Sequence, residues 1–144
     1  MSRSDDDRSL VEAARSARSL AYAPYSGYRV GAALRVEGGE VIRAANVENA
    51  SYGMTICAER AAVAVAVAAG HRRFEAIAVA ADGEQPASAC GACRQVLREF
   101  PPYGDLRVLL AGESGDQLVD TTLEALLPGG FGPERLGRAE RGRA

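Results

Sequence analysis

Three cysteines and one glutamate carry the chemistry of this sequence. Glu59 follows Cys57 by two positions in Thr55-Ile56-Cys57-Ala58-Glu59-Arg60. Cys90-Gly91-Ala92-Cys93 begins 33 residues after Cys57, and the chain has no other cysteine. Structural zinc is normally closed by four protein ligands, whereas catalytic zinc keeps three and leaves the fourth position to water. Three thiolates are therefore one ligand short of a closed tetrahedron, and Glu59 sets a carboxylate beside the open position. Metal, activated water and proton carrier together describe a hydrolase that attacks an electron-poor carbon. Buried structural thiols, or a structural zinc lacking its fourth ligand, would leave Glu59 at this spacing without a role. A three-thiolate zinc is formally anionic and a weakened Lewis acid. Two helix N-termini and a nearby cation would offset that charge, and Arg60 is the evident cation.

The elements that must position these residues follow from periodicity. Apolar residues at Leu10, Val11, Ala14, Ala17, Leu20 and Ala21 have helical spacing, and Pro24 ends that helix. Residues 1–7 are polar and read as a frayed end. Tyr28–Val36 and Val41–Val47 read as a hairpin about Gly38-Gly39, with Gly31 marking a close backbone approach. Cys57–Ala69 reads as a buried helix and Phe74–Ala81 as a central strand covered on both faces. Cys90–Phe100 reads as a helix closed by Pro101-Pro102. Strands follow at Leu106–Leu110 and Leu118–Val119, then a short helix from Thr122 to Leu127 capped by Thr121. The charged segment 137–144 reads as a disordered tail. At 144 residues the chain suits one domain, 1–144, of three-layer α/β type.

Composition removes several classes. Seventeen Lys and Arg nearly balance nineteen Asp and Glu, so nothing electrostatic calls for nucleic acid or an anionic membrane as partner. The longest apolar run, Ala61–Gly70, is too short to span a bilayer. Three cysteines at metal spacing, an odd number and without a signal peptide, point to a reducing cytoplasm rather than a disulfide framework. His71, the single histidine, follows Gly70 at a helix end and carries no catalytic expectation.

The combination resembles the cytidine deaminase family, of the small three-cysteine zinc type. The general account of zinc deaminases already describes such a site, with a non-ligand glutamate. The resemblance extends through Ala21–Leu34, through Asn46-Val47-Glu48-Asn49-Ala50-Ser51-Tyr52-Gly53, through Cys90–Val96, and through Leu126-Leu127-Pro128 with Phe131-Gly132-Pro133. It implies an α/β/α fold on a mixed five-stranded sheet and one Zn²⁺ per chain on Cys57, Cys90 and Cys93. Glu59 would shuttle protons, Arg60 would neutralise thiolate charge, and Asn46 and Glu48 would bind ribose hydroxyls. Tyr28 would stack on the base, and Phe131 would reach the site of a neighbouring subunit in a homotetramer with shared active sites. The implied reaction is deamination of cytidine and 2′-deoxycytidine in pyrimidine salvage. The alternative substrate is another aminopyrimidine nucleoside or a nucleoside antibiotic. Two departures stand out. Ala89 occupies a position where the family usually has proline, and Tyr28 one where it usually has phenylalanine.

Overall fold

The computed structural model describes residues 2–138. Met1 and residues 139–144, which hold most of the expected tail, lie outside the described residues. Five strands form one mixed sheet in the order β2-β1-β3-β4-β5. They are β1 (Val30–Val36), β2 (Val41–Ala45), β3 (Phe74–Ala81), β4 (Arg107–Gly112) and β5 (Leu118–Thr122). The central β3–β4 pair is parallel, and every other pair is antiparallel. Helix α1 (Arg3–Ala17) covers one face. Helices α2 (Ala58–Ala68), α3 (Gly91–Leu97) and α4 (Leu123–Leu126) lie on the other. No helix among the described residues is long and apolar enough to cross a membrane.

The two faces of the sheet are built differently. Strand alternation sends Leu34, Val36, Ile77, Val79, Val108 and Leu110 toward α2 and α3, while Ala33, Ala76, Ala78, Ala80 and Ala111, with Leu109 as the one large side chain of the set, face α1. The α1 face is therefore shallow, and α1 sits close to the strands. Leu10 and Val11 anchor it, each contributing about 1.5–3 kcal/mol by burial. Closest approach falls at Gly31, as its place in a strand implies. A Cβ there would run into the Ala14 carbonyl oxygen and lie 2.7 Å from the Arg18 nitrogen.

Several boundaries differ from the sequence expectations. Residues 3–7 are the first turn of α1, not a frayed end. Ser2 caps it, accepting the Asp5 N–H at 3.2 Å, and Asp5 reciprocates toward the Ser2 backbone. Asp7 forms a two-pronged ion pair with Arg107 of β4, at 2.8 and 3.0 Å, and Arg107 also holds Asp120 of β5 at 2.9 Å. Apolar periodicity does not detect an end held by caps and charges. Strand β1 begins at Val30 because the Tyr28 N–H is taken by the Ser26 hydroxyl at 3.0 Å instead of a neighbouring strand. The hairpin loop has three residues rather than two, since the Val36 N–H pairs with the Glu40 carbonyl. Helix α3 ends at Leu97, with Arg98 as its C-cap. Thr122, not Thr121, caps α4, accepting the Ala125 N–H at 3.2 Å.

Gly31→Ala should destabilise the protein by about 3 kcal/mol or more in urea unfolding, because the clash is with backbone. Gly53→Ala, where a Cβ meets nothing within 4 Å, should stay within about 0.5 kcal/mol. Hydrogen bonding to Arg107 holds the Asp7 carboxyl below its ordinary 3.8 despite some desolvation. A depressed carboxylate contributes stability that is present above 3.8 and lost as pH falls below it. The stability gap between the wild type and Asp7→Asn should therefore close on acidification through that range.

Candidate active site

Two loops converge at one end of the sheet and deliver all three thiols. The loop from β2 to α2 is shaped by isolated bridges on either side of Val47. Val47 and Ile56 exchange backbone hydrogen bonds, both 2.9 Å. The Tyr22 N–H donates to the Asn46 carbonyl at 3.0 Å, and the Glu48 N–H donates to the Tyr22 carbonyl at 2.8 Å. Asn46, Glu48 and Cys57 are thereby set in one frame, with Cys57 at the N-cap of α2. The loop from β3 to α3 delivers Cys90 to the N-cap of α3, and Cys93 follows one turn later. Arg94 grips that approach. Its guanidinium donates to the Ala89 carbonyl at 2.8 Å, the Ser88 hydroxyl at 2.9 Å and the Leu126 carbonyl at 2.6 Å.

The sulfur atoms of Cys57, Cys90 and Cys93 lie within 4.8 Å of one another. Cys57 and Cys90 are 3.9 Å apart, and Cys90 and Cys93 are 3.3 Å apart. Zinc–sulfur bonds of about 2.3 Å imply tetrahedral edges of about 3.8 Å, so the donor set fits zinc with little adjustment. Cys93 is buried and Cys90 is exposed, which leaves the cluster open on its Cys90 side.

Electrostatics polarise the cluster. A hydrogen bond from the Cys93 thiol, a second from Cys90 and the charge of Arg60 overcome burial and hold Cys57 down to about 5. Cys93 is pushed up, because ionisation would cost it that hydrogen bond and because it is buried beside Glu59. Glu59, only 4% exposed, is raised chiefly by burial and further by the Cys57 charge. Arg60 also donates to the Thr55 carbonyl at 2.9 Å.

A cleft of about 240 Å³ opens over the thiols. Tyr28, Asn46, Thr55, Cys57, Glu59, Ser88 and Cys90 line it, with Val79 and Ala81 of β3. A second cleft of about 230 Å³, lined by Tyr25, Ser26, Glu48, Tyr52 and Thr55, adjoins it through Thr55. Asn46 and Glu48 thus open into neighbouring clefts rather than a single one. Asn46 is buried. Its Oδ1 accepts the Val30 N–H at 3.0 Å and its Nδ2 donates to the Tyr28 carbonyl at 2.9 Å. Glu48 accepts from the Tyr25 N–H at 3.0 Å, the Ser26 N–H at 3.1 Å and the Ser26 hydroxyl. Those bonds from Ser26, with that from Tyr25, hold its carboxyl below the ordinary range. Phe131 lines neither cleft and is 56% exposed. Sequence reasoning missed Thr55, Ser26, Ser88 and Arg94. The turn Pro24-Tyr25-Ser26-Gly27 was the available signal for Ser26, since a serine there has free backbone donors around it.

Fold and site together define a three-layer α/β protein with three clustered thiols able to hold a metal ion and a buried carboxyl beside them. Comparison with known proteins gives the family. The profile described as "Cytidine and deoxycytidylate deaminase zinc-binding region" matches residues 4–105. The chain is 50% identical over 131 residues to a cytidine deaminase of Halalkalibacterium halodurans, covering 91% of this chain and 98% of that one. It is 48% identical over 134 residues to a cytidine deaminase of Sporosarcina psychrophila, covering 93% and 97%. A crystal structure of cytidine deaminase from Burkholderia pseudomallei superposes with a TM-score of 0.82 at 47% identity, over 91% of this chain and all of that one. The chain belongs to the cytidine deaminase family.

In metal-free protein the first thiolate should persist as pH is lowered to about 5 and protonate below it, followed by thiolate ultraviolet absorbance. Cys57→Ser should move that first ionisation upward, toward the ordinary thiol range.

Proposed function

We propose that this chain catalyses hydrolytic deamination of cytidine and 2′-deoxycytidine, releasing ammonia and leaving uridine or 2′-deoxyuridine. The observation that carries this reading is the buried Glu59, its pKa raised chiefly by burial, at the floor of a cleft shared with the clustered thiols. Held by Cys57, Cys90 and Cys93, zinc supplies a Lewis acid that makes water a nucleophile at neutral pH. Glu59 takes a proton from the attacking water and places it on the ring N3, which makes C4 electrophilic. Once the C4–O bond has formed, Glu59 takes the second proton from the new C4 hydroxyl and passes it to the amino nitrogen, so that ammonia leaves as the C4–N4 bond breaks and the C4 carbonyl forms. Burial suits the carboxyl to this work, because a raised pKa brings it nearer the operating pH of a proton carrier. Arg60 offsets the charge of the thiolates.

The remaining residues suit a nucleoside. Tyr28 presents an aromatic ring to the base. Asn46 retains one amide N–H for a sugar hydroxyl, after its bonds to Val30 and Tyr28. Glu48 accepts three hydrogen bonds, and an ionised carboxylate has about four acceptor positions. One is left for a hydroxyl. Residues lining the Glu48 cleft include a carboxylate and no cation, which suits a neutral sugar there better than a phosphate. Four copies sharing sites suit the exposure of Phe131 and of Tyr52, Met54 and Ile56, with Phe131 reaching a neighbour's cleft. A reducing cytoplasm keeps the thiols available to metal.

Glu59→Gln should retain about one zinc per chain and lose roughly 10²–10⁴-fold in kcat, measured as loss of cytidine absorbance beside a zinc assay. Retained activity at full zinc would remove Glu59 as the proton carrier.

A further inference from the structure

Helix α3 and its C-cap carry a second set of contacts, through Arg94, Gln95 and Arg98. The segment from Leu126 to Glu134, which carries Phe131, lies across this helix as a strap and is fastened at three points. Arg94 holds the Leu126 carbonyl, and the Gln95 amide donates to the carbonyl of Phe131 itself at 3.0 Å. Beyond Phe131, Arg98 takes the carboxylate of Glu134 with both terminal nitrogens, one of them at 3.3 Å.

Arg98 is unusual for an arginine. It is buried, its Nε has no hydrogen-bond partner among the described residues, and its guanidinium lies 5.4 Å from the centre of the Tyr103 ring. The strap is shaped to it. A Cβ on Gly132 would collide with Arg98 Nη1 and Glu134 Oε2, and one on Gly130 would crowd Arg98 Cγ and Nε at 3.3 Å. Gly132 has an ordinary extended backbone, with φ −151° and ψ 178°, so glycine serves there for room and not for conformation. Between these two glycines the Phe131 ring projects into solvent. An exposed ring on a strap this closely fitted is directed, not loose.

We infer that the Arg98–Glu134 ion pair is a positioning device that aims Phe131, and through it sets how tightly a neighbouring copy holds its nucleoside. The inference rests on the reading above, in which Phe131 enters a neighbour's cleft. Arg98 and Glu134 touch neither substrate nor metal. They act by keeping a two-glycine strap in one position on the helix that carries two of the three thiols. Hydrogen bonding to Arg98 holds the Glu134 carboxyl below its ordinary range against the effect of burial, so the pair stays charged at neutral pH.

The test is a double-mutant cycle on the zinc-loaded full chain, with KM and kcat for cytidine, bound zinc and thermal stability measured throughout. Phe131→Ala should raise KM roughly three- to tenfold, the worth of one aromatic contact. Glu134→Gln should raise KM by a similar factor with zinc unchanged and kcat nearly so, and should add nothing in the Phe131→Ala background. Gly132→Ala, which crowds the same pair from the strap side, should behave like Glu134→Gln. If Phe131→Ala raises KM while Glu134→Gln and Gly132→Ala do not, the ion pair aims nothing, and the role of Phe131 stands. If Phe131→Ala leaves KM unchanged, the underlying reading fails and takes this inference with it. Additive effects accompanied by a lower melting temperature would make the pair a general support, which also overturns the proposal.

Discussion

Holding three sulfur atoms within 4.8 Å is the constraint on which the rest of the structure depends. Three thiolates at that spacing would repel one another, and the sulfurs come from chain segments 33 residues apart. The sheet provides the fixed reference. Strands β1 and β3 are paired through seven residue positions, and the loops that reach Cys57 and Cys90 depart from β2 and β3. The bridges about Val47 remove the freedom left in the first loop, and Arg94 removes it from the second. Cys57 then meets the N-terminus of α2, where partial positive charge favours the ionised form. Metal, when bound, replaces repulsion with shared coordination.

The same arrangement shapes the electrostatics at Glu59. A carboxylate beside thiolates in a buried position is disfavoured twice, by lost hydration and by like charge. Both act to raise its pKa. Its backbone N–H, the Cys93 thiol and, least of the three, the charge of Arg60 pull in the opposite direction. Tight packing of α1 on the other face matters here at a distance. The alanines of β3 and β4 together with Gly31 let α1 close that face, which leaves the opposite face, with the larger side chains, to the helices that carry the thiols.

Sequence reasoning reached the thiols, Glu59 and the order of elements because each rests on a local rule. Two cysteines three apart, a carboxylate two residues after a third, and an eight-residue apolar run between turns each have few readings. It failed where positions are set by contacts between distant residues. The first turn of α1 is held by Ser2 and by Arg107, a hundred positions from its partner Asp7. The Ser2–Asp5 capping pair is a local pattern, but nothing in residues 1–7 shows the ion pair to Arg107. Asn46 and Glu48 were legible as a pair on an extended segment, but their separation into adjoining clefts is decided by Ser26 and by the bridge to Tyr22. Arg98 looked like an ordinary helix cation, because its burial depends on a strap that returns thirty-six residues later.

The two departures from the family pattern find physical accounts in the same contacts. Proline before Cys90 would stiffen the approach to α3 by fixing one backbone angle. Ala89 lacks that restraint, yet it is buried at 4% exposure and its carbonyl is held by Arg94 at 2.8 Å, with Ser88 held by the same guanidinium at 2.9 Å. Two charge-assisted hydrogen bonds from a side chain already tied to the Leu126 carbonyl restrain the loop as a ring would, and by a different route. Tyr28 in place of phenylalanine adds a hydroxyl that would be costly if buried without a partner. Tyr28 is 44% exposed, so the hydroxyl can remain hydrated while the ring faces the cleft. The approaches to the thiols are restrained by Arg94 and by the bridges about Val47, not by the side chains at positions 89 and 28.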